Sequence, residues 1–247
     1  MKGKFIMFDG LDGSGKGTLV NALKEYYEDK NKKVFDLREY WKENNDIPDI
    51  TQLQEFDIII SSEPTHSMIG KVIREEIISK NARKYSGLST AHAFALDREI
   101  LYKKVIIPAL RAGKTIIQER GVITSLVYQP VQLERITLRD IIYLPGNMLA
   151  LKNTPDFLII TTVSPATVMK RLEAREKKDN AIFEERMFQR KIDERYRSEW
   201  LRKIFEKQGT KVIYFDTDEP KTVEDSSREI IELWEQENKE HTVVRHM

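Results

Sequence analysis

No cysteine occurs among the 247 residues. Its absence excludes a disulfide scaffold, a zinc–thiolate site and a thiol nucleophile, and it accords with a reducing compartment. No apolar run approaches the ~20 residues that a membrane-spanning helix requires; the longest lies around Phe56–Ile60. Neither sign of charge dominates, since 41 Lys and Arg face 40 Asp and Glu. Global attraction to nucleic acid is therefore not expected. The strand-like KFIMF near the start follows no charged-then-apolar leader, which predicts no secretory signal. These absences together predict a cytoplasmic protein with neither a membrane nor a nucleic-acid partner. Glycine is scarce as well, at 11 residues, yet Gly10, Gly13, Gly15 and Gly17 fall within one stretch of eight.

With 40% hydrophobic residues the chain can bury a core, and its length suits one α/β domain over 1–247. Strand-length apolar runs at Phe5–Phe8, Lys33–Leu37, Asp57–Ile60, Thr115–Gln118, Phe157–Thr161 and Lys211–Phe215 alternate with segments of helical period. That alternation predicts a parallel sheet covered by helices on both faces. Helices are expected at 17–27, 69–79, 90–112, 165–176, 184–207 and 223–237. Two stretches exceed a minimal α/β unit. Residues 38–55 are polar with turn signals and split what reads as a strand hairpin; residues 132–153 carry a helical pair broken at Leu144-Pro145-Gly146. The charged tail, 238–247, is expected to fray.

The glycines belong to Gly10-Leu11-Asp12-Gly13-Ser14-Gly15-Lys16-Gly17-Thr18, which follows a strand and opens a helix. Small residues there let successive backbone N–H groups turn inward around phosphate oxygens, and the helix N-terminus adds positive potential. Lys16 then reaches the β- and γ-phosphates of a nucleotide. Gly17 occupies the hydroxyl position of the usual G-x-x-x-x-G-K-[ST] pattern, so Mg²⁺ must be held more by phosphates, water and carboxylates. Three further segments narrow the reading: Ser62-Glu63-Pro64-Thr65-His66, Phe94-Ala95-Leu96-Asp97-Arg98, and Gln118-Glu119-Arg120-Gly121 followed by Tyr128-Gln129. By pattern alone Phe94 is either core or ligand-facing, and Arg98 is either a surface partner of Asp97 or a ligand contact. Glu119-Arg120 directly follows an apolar strand and so falls at the ligand edge of the sheet. His66 and His92 have no spacing that suggests a metal.

In the order and spacing of these motifs, with I-I-P-A-L-R-A-G-K, the strand P-D-F-L-I-I and a basic R-L-E-A-R, the chain resembles the thymidylate kinases from Lys4 to about Phe215. The resemblance implies a three-layer α/β/α P-loop fold, with a central parallel sheet of about five strands and a helical lid near 171–184. It also implies transfer of the γ-phosphate of ATP to dTMP with Mg²⁺, by a homodimer. Residues 10–18 and Arg171 would bind ATP. Glu63, Pro64, Phe94, Arg98, Arg120, Ser125 and Tyr128 would bind dTMP. Phe94 would stack on the base, Arg98 donate to O4, Arg120 clamp the acceptor phosphate and Tyr128 crowd the 2′ position. Asp12 and Glu119 would hold the metal shell, in part through water, and Asp12 would contact the sugar 3′-hydroxyl or a metal-bound water. The phosphate loop carries Gly13 where some relatives have an arginine, so Arg175 is expected to serve from the lid. The catalytic set so implied is Lys16, Arg120, Arg175, Asp12 and Glu119.

Four departures stand out: Ser62 where many relatives have an arginine, Gly121 where they have an aromatic, Asn180 at a common lid arginine, and the insertion 38–55. Gly121 is expected to leave room beside the sugar. Two alternatives remain open. A deoxynucleoside kinase shares the loop, the Glu-Pro turn and the Glu-Arg pair, with Glu63 as base on a 5′-hydroxyl, and another nucleoside monophosphate kinase is the related alternative. A non-catalytic nucleotide-binding module is the less favoured alternative, since loss of Lys16 or Arg120 would support it and both are present.

Overall fold

The computed structural model describes residues 3–79, 81–132, 136–173 and 186–244. Six parallel strands form one sheet in the order β2-β3-β4-β1-β5-β6: β1 (Phe5–Gly10), β2 (Val34–Asp36), β3 (Ile58–Ser62), β4 (Thr115–Glu119), β5 (Phe157–Thr162) and β6 (Lys211–Asp216). Side chains alternate across a strand, and β1 is buried on both faces. Phe5 and Met7 join one apolar core, while Ile6 and Phe8 join another. The second core is closed by α1 (Lys16–Asp29) and α12 (Val223–Val244), through residues such as Leu19, Leu23, Ile230 and Trp234.

The remaining helices lie mainly against the opposite face. These are α2 (Leu37–Glu43), α3 (Met68–Val72), α4 (Gly87–Leu101), α5 (Ile107–Arg111), α6 (Val122–Gln132), α7 (Leu138–Ile142), α8 (Pro145–Lys152), α9 (Pro165–Glu173), α10 (Arg186–Tyr196) and α11 (Glu199–Glu206). A wider, π-type turn at Tyr102–Ile106 joins α4 to α5, and another at Ile73–Ile77 extends α3.

Several sequence expectations change. β2 and β3 run parallel, with Val34 opposite Ile58, so they are not a hairpin. A parallel pair needs a crossover, and residues 37–53 supply one, containing α2 and a short 3₁₀ turn at Ile50–Leu53. The helix expected from Thr90 starts at Gly87, because the Ser86 side chain caps it by accepting from the Ser89 amide. The helix expected over 184–207 is broken at Arg197–Ser198, where the Ser198 hydroxyl donates to the Arg195 carbonyl at 2.5 Å. Helix α12 continues to Val244 through much of the stretch expected to fray. The connections reverse direction around β1: β2, β3 and β4 lie on one side of it, β5 and β6 on the other. Ligands of such sheets bind at that switch, outside the carboxyl ends of the strands. Among the described residues no helix is long and apolar enough to cross a membrane.

Candidate active site

The glycine-rich loop leaves β1 at the switch point and opens α1. Gly13 and Gly15 have φ of 76° and 84°, a left-handed conformation that costs residues with a Cβ about 1–2 kcal/mol. A Cβ on Gly15 would meet nothing within 4 Å, so backbone conformation rather than space demands the glycine. Within the loop Lys16 Nζ donates to the carbonyls of Leu11 at 2.6 Å and Gly10 at 3.2 Å. Burial, then the nearby Arg120 charge, pulls its pKa down to about 8. The lysine is thus a poorly hydrated cation held by weak acceptors, ready for phosphate oxygens. The loop is anchored from β5 and beyond: Ser14 and Thr161 hydroxyls meet at 2.5 Å, and the Thr217 hydroxyl donates to the Ser14 carbonyl at 2.9 Å.

Arg120 directly follows β4, in the left-handed region at φ 63°. A non-glycine residue there is strained and marks a position that its surroundings over-determine. Its amide donates to Phe8 at 2.7 Å, and its guanidinium pairs with Asp12 while lying 3.8 Å from Asp9. Asp9, which sequence reasoning missed, is the hub of this corner. Its carboxylate, fully buried, accepts from the Gly10 amide (2.8 Å), the Thr124 hydroxyl (2.7 Å) and the Tyr196 hydroxyl (2.6 Å). Phosphate loop, β4, α6 and α10 meet on one side chain. An apolar strand run conceals it in the sequence, and the Tyr196 partner lies 187 positions away. Tyr128 packs against Tyr196 at 6.3 Å and lies beneath the Arg120 guanidinium at 5.8 Å.

Glu63 and Arg98 form a buried ion pair at 2.7 Å, 3% and 1% exposed as side chains. Gln118 donates to the other Glu63 oxygen at 2.9 Å. Arg98 also donates to Asn147, to the Gly121 carbonyl (3.2 Å) and to Ser125 Oγ (3.1 Å). It is not the surface partner of Asp97, whose carboxylate instead accepts from the Thr65 amide (2.8 Å) and hydroxyl (2.6 Å). All three guanidinium nitrogens of Arg98 are engaged, with the longest bonds those from Nη2 to Gly121 and Ser125. Phe94, one turn before, is half-buried. The room expected at Gly121 does not exist: a Cβ there would come within 2.5 Å of Met7 Cε, because the methionine fills that space. Pro64 follows Glu63 at the same edge, its carbonyl held by Arg74 at 3.1 Å.

Glu119 stands beside the loop. A Cβ on Gly17 would lie 3.4 Å from its Oε2, so this carboxylate fills the neighbourhood that a loop hydroxyl lacks. Asp12 is the second oxygen donor, paired with Arg120. Among the described residues no group of three or more His, Cys, Asp or Glu could hold a metal ion alone, so a cation here relies on phosphate and water ligands as well. On the other flank of the loop, Arg171 on α9 donates to the carbonyls of Gly13 (3.4 Å) and Thr217 (2.6 Å). It borders a cavity of about 250 Å³ with Gly15, Thr18, Lys221 and Thr222. Arg175 and Asn180 lie outside the described residues, as does most of the expected lid.

A parallel sheet with a phosphate-binding loop at its switch point, a buried lysine inside that loop and an arginine facing it defines a P-loop nucleotide-binding protein of the α/β class. The comparisons narrow this. The thymidylate kinase family model matches residues 49–230. A thymidylate kinase of Caldicellulosiruptor saccharolyticus is 33% identical over 192 residues, 78% of this chain and 80% of that protein. A probable thymidylate kinase of Pyrococcus horikoshii is 35% identical over 132 residues, 52% of this chain and 53% of that one. The fold is shared with the solved thymidylate kinase of Candida albicans, at a TM-score of 0.64 and 17% identity over 96% of this chain and 93% of that one. The chain belongs to the thymidylate kinase family.

Proposed function

We propose that the protein transfers the γ-phosphate of ATP to dTMP, giving dTDP and ADP. Family membership supports the reaction, and the observation that carries its placement is the convergence of Lys16, Arg120 and Asp12 where β1 and β4 end. An oxygen of the acceptor phosphate attacks the γ-phosphorus while the bond from that phosphorus to the β–γ bridging oxygen breaks, the electron pair leaving on ADP. Such transfer needs positioning and neutralised charge more than covalent chemistry. In this reading the backbone of residues 10–18 and Lys16 hold the donor phosphates, with Arg171 on the adenine side. Arg120 clamps the acceptor phosphate, and Asp12 meets the sugar. Phe94, Arg98, Ser125, Tyr128 and the Glu63-Pro64 turn form the nucleoside wall. Arg175 reaches the transferred group from the lid. Mg²⁺ bound to ATP would neutralise phosphate charge, held by Glu119 and Asp12 with water completing the shell.

Both Glu63 oxygens are occupied in a buried network, which supports a monophosphate acceptor over a nucleoside whose 5′-hydroxyl would require Glu63 as base. A single kinase domain with its lid, a homodimeric state and a cytoplasmic location complete the proposal. The exposed Met68, Val72, Leu88 and Leu96 of α3 and α4 offer an apolar face for self-association. Coupled assays of ADP release with dTMP, dUMP, dCMP, AMP and thymidine test the acceptor: dTMP is expected to give the highest kcat/KM, and faster turnover of thymidine would reject the reading.

Removing the Tyr196 hydroxyl tests Asp9 as a positioning residue. Tyr196→Phe is expected to lower kcat about tenfold, equivalent to about 1.4 kcal/mol of barrier, with KM for ATP within twofold. A change confined to thermal stability would assign the hydroxyl to folding alone.

A further inference from the structure

The insertion that follows β2 builds a cavity that the proposed machinery does not use. It has a volume of about 550 Å³ and lies between α2 and the α3 segment, with Asn21 of α1, Arg38, Trp41, His66, Lys71 and Arg74 in its lining. Arg38 and Arg74 are half-buried in its wall, whereas the lining carboxylates Glu39, Glu43 and Glu75 and the lysines Lys42 and Lys71 are exposed at its rim. Trp41 is 5% exposed, with the His66 ring stacked on it at 6.2 Å.

Arg38 is fixed rather than loose. Asp36 takes its Nε at 3.0 Å and its Nη2 at 2.8 Å, and Asn21 takes the same Nη2 at 2.8 Å. Nη1 donates to no protein acceptor among the described residues, so a preorganised guanidinium keeps one edge open. Asp36, the last residue of β2, pairs with Ile60 of β3, and Arg38 stands in the first turn of α2, just past the end of the sheet at which Ser62 closes β3. Ser62 ends its strand with a buried hydroxyl that has no partner among the described residues. The carboxylate of Glu119, which adjoins the phosphate loop at Gly17, is close enough to act on the charges of Arg38 and His66. The cavity is therefore a neighbour of the reacting region. Lost hydration first, then Arg74, pushes the pKa of His66 down to about 4.

We propose that this cavity is a phosphoryl-anion site whose guanidinium is Arg38, supplied by the insertion. Its ligand is a phosphate dianion, either the monophosphate of the acceptor nucleotide or a free phosphate. The acceptor source rests on the proposed dTMP kinase reaction; the free-anion source does not. With Nε and Nη2 engaged by Asp36 and Asn21, the guanidinium plane is fixed and Nη1 is presented to the anion without the ordering cost that a free lysine would incur.

The experiment uses the full chain and three probes: inorganic phosphate, dTMP and thymidine, each titrated calorimetrically, together with steady-state kinetics on dTMP. If the acceptor's own phosphate occupies the cavity, Arg38→Gln raises KM for dTMP at least tenfold and leaves thymidine affinity within twofold. If a free anion occupies it, the same variant loses phosphate binding at least tenfold while KM for dTMP stays constant. Unchanged phosphate affinity together with unchanged KM for dTMP overturns the site. Arg38→Lys keeps the charge and a partner for Asp36, and it is expected to show several-fold losses in the same direction. Lys71→Gln, on the exposed rim and away from α2, should weaken phosphate binding several-fold even if both Arg38 variants fail to fold; full affinity in that variant counts against the site. Wild-type failure to phosphorylate dTMP would refute the kinase reading alone, because binding of inorganic phosphate is measured without turnover.

Discussion

Lys16→Met is expected to lower turnover about a thousandfold, the scale of losing one oriented cation at a site of developing charge, while the folded protein becomes more stable. The two effects have one cause. Lys16 is 4% exposed and its pKa falls from 10.5 to about 8, first because burial removes water and next because Arg120 repels it. A lysine whose folded-state pKa lies below its unfolded value opposes folding wherever it is charged in both states. The penalty is therefore complete below pH 8 and fades as pH rises from 8 to 10.5. A shift of that size corresponds to about 3 kcal/mol. Methionine keeps the aliphatic stem and removes the charge, so the melting temperature should rise by several degrees at pH 7. A fall in melting temperature, or retained turnover, would contradict this account of the loop. The same argument makes nucleotide binding a proton-coupled event: phosphate oxygens restore the ammonium, so binding at pH 8.5 takes up protons. Calorimetry in buffers of different ionisation enthalpy reads that uptake directly, and it should vanish in Lys16→Met.

How much of this was legible in the chain depends on the range of each interaction. The phosphate loop was readable because its requirements are local: glycines at φ near 80°, a lysine, a strand before and a helix after. The inner strands β1, β3, β4 and β5 were readable because parallel strands buried on both faces are continuously apolar. The insertion was recognised as extra, yet its topology was misread, since polar residues with turn signals fit a hairpin and a parallel crossover equally well. Asp9 and Tyr196 had no local signal, because one sits inside an apolar strand and the other on a helix 187 residues later. Gly121 misled for a related reason. A missing side chain implies space only if no neighbour fills it, and Met7, across the β1–β4 ladder, does. Arg98 shows the same limit most clearly, for its adjacent acid in sequence is not its partner in space.

That partner, Glu63, sets the second large effect. Arg98→Met is expected to destabilise the fold by about 3–5 kcal/mol, the cost of leaving a buried charge uncompensated, rather than the small loss of a surface pair. Burial already raises the Glu63 pKa from 4.5 to about 7, against the pull of Arg98 and the hydrogen bonds from Arg98 and Gln118. Deleting the guanidinium removes the main opposing influence and raises it further. A carboxyl whose folded-state pKa exceeds its unfolded value favours the fold most below pH 4.5, and that contribution is lost as pH rises through the folded value. The variant should thus lie nearest to wild type around pH 5 and fall furthest behind above pH 8, read as melting temperature across that range. Glu63→Gln combined with Arg98→Met should recover most of the loss, because neither a buried charge nor its counter-ion remains. If the single variant instead loses stability equally at pH 5 and pH 8, the pair does not hold this wall electrostatically and cavity formation explains the loss. Because Arg98 also donates to Gly121 and Ser125 at the nucleoside wall, the double variant separates the two roles of the arginine. A fold restored with the preference for dTMP over dCMP still weakened assigns the discrimination to the guanidinium itself.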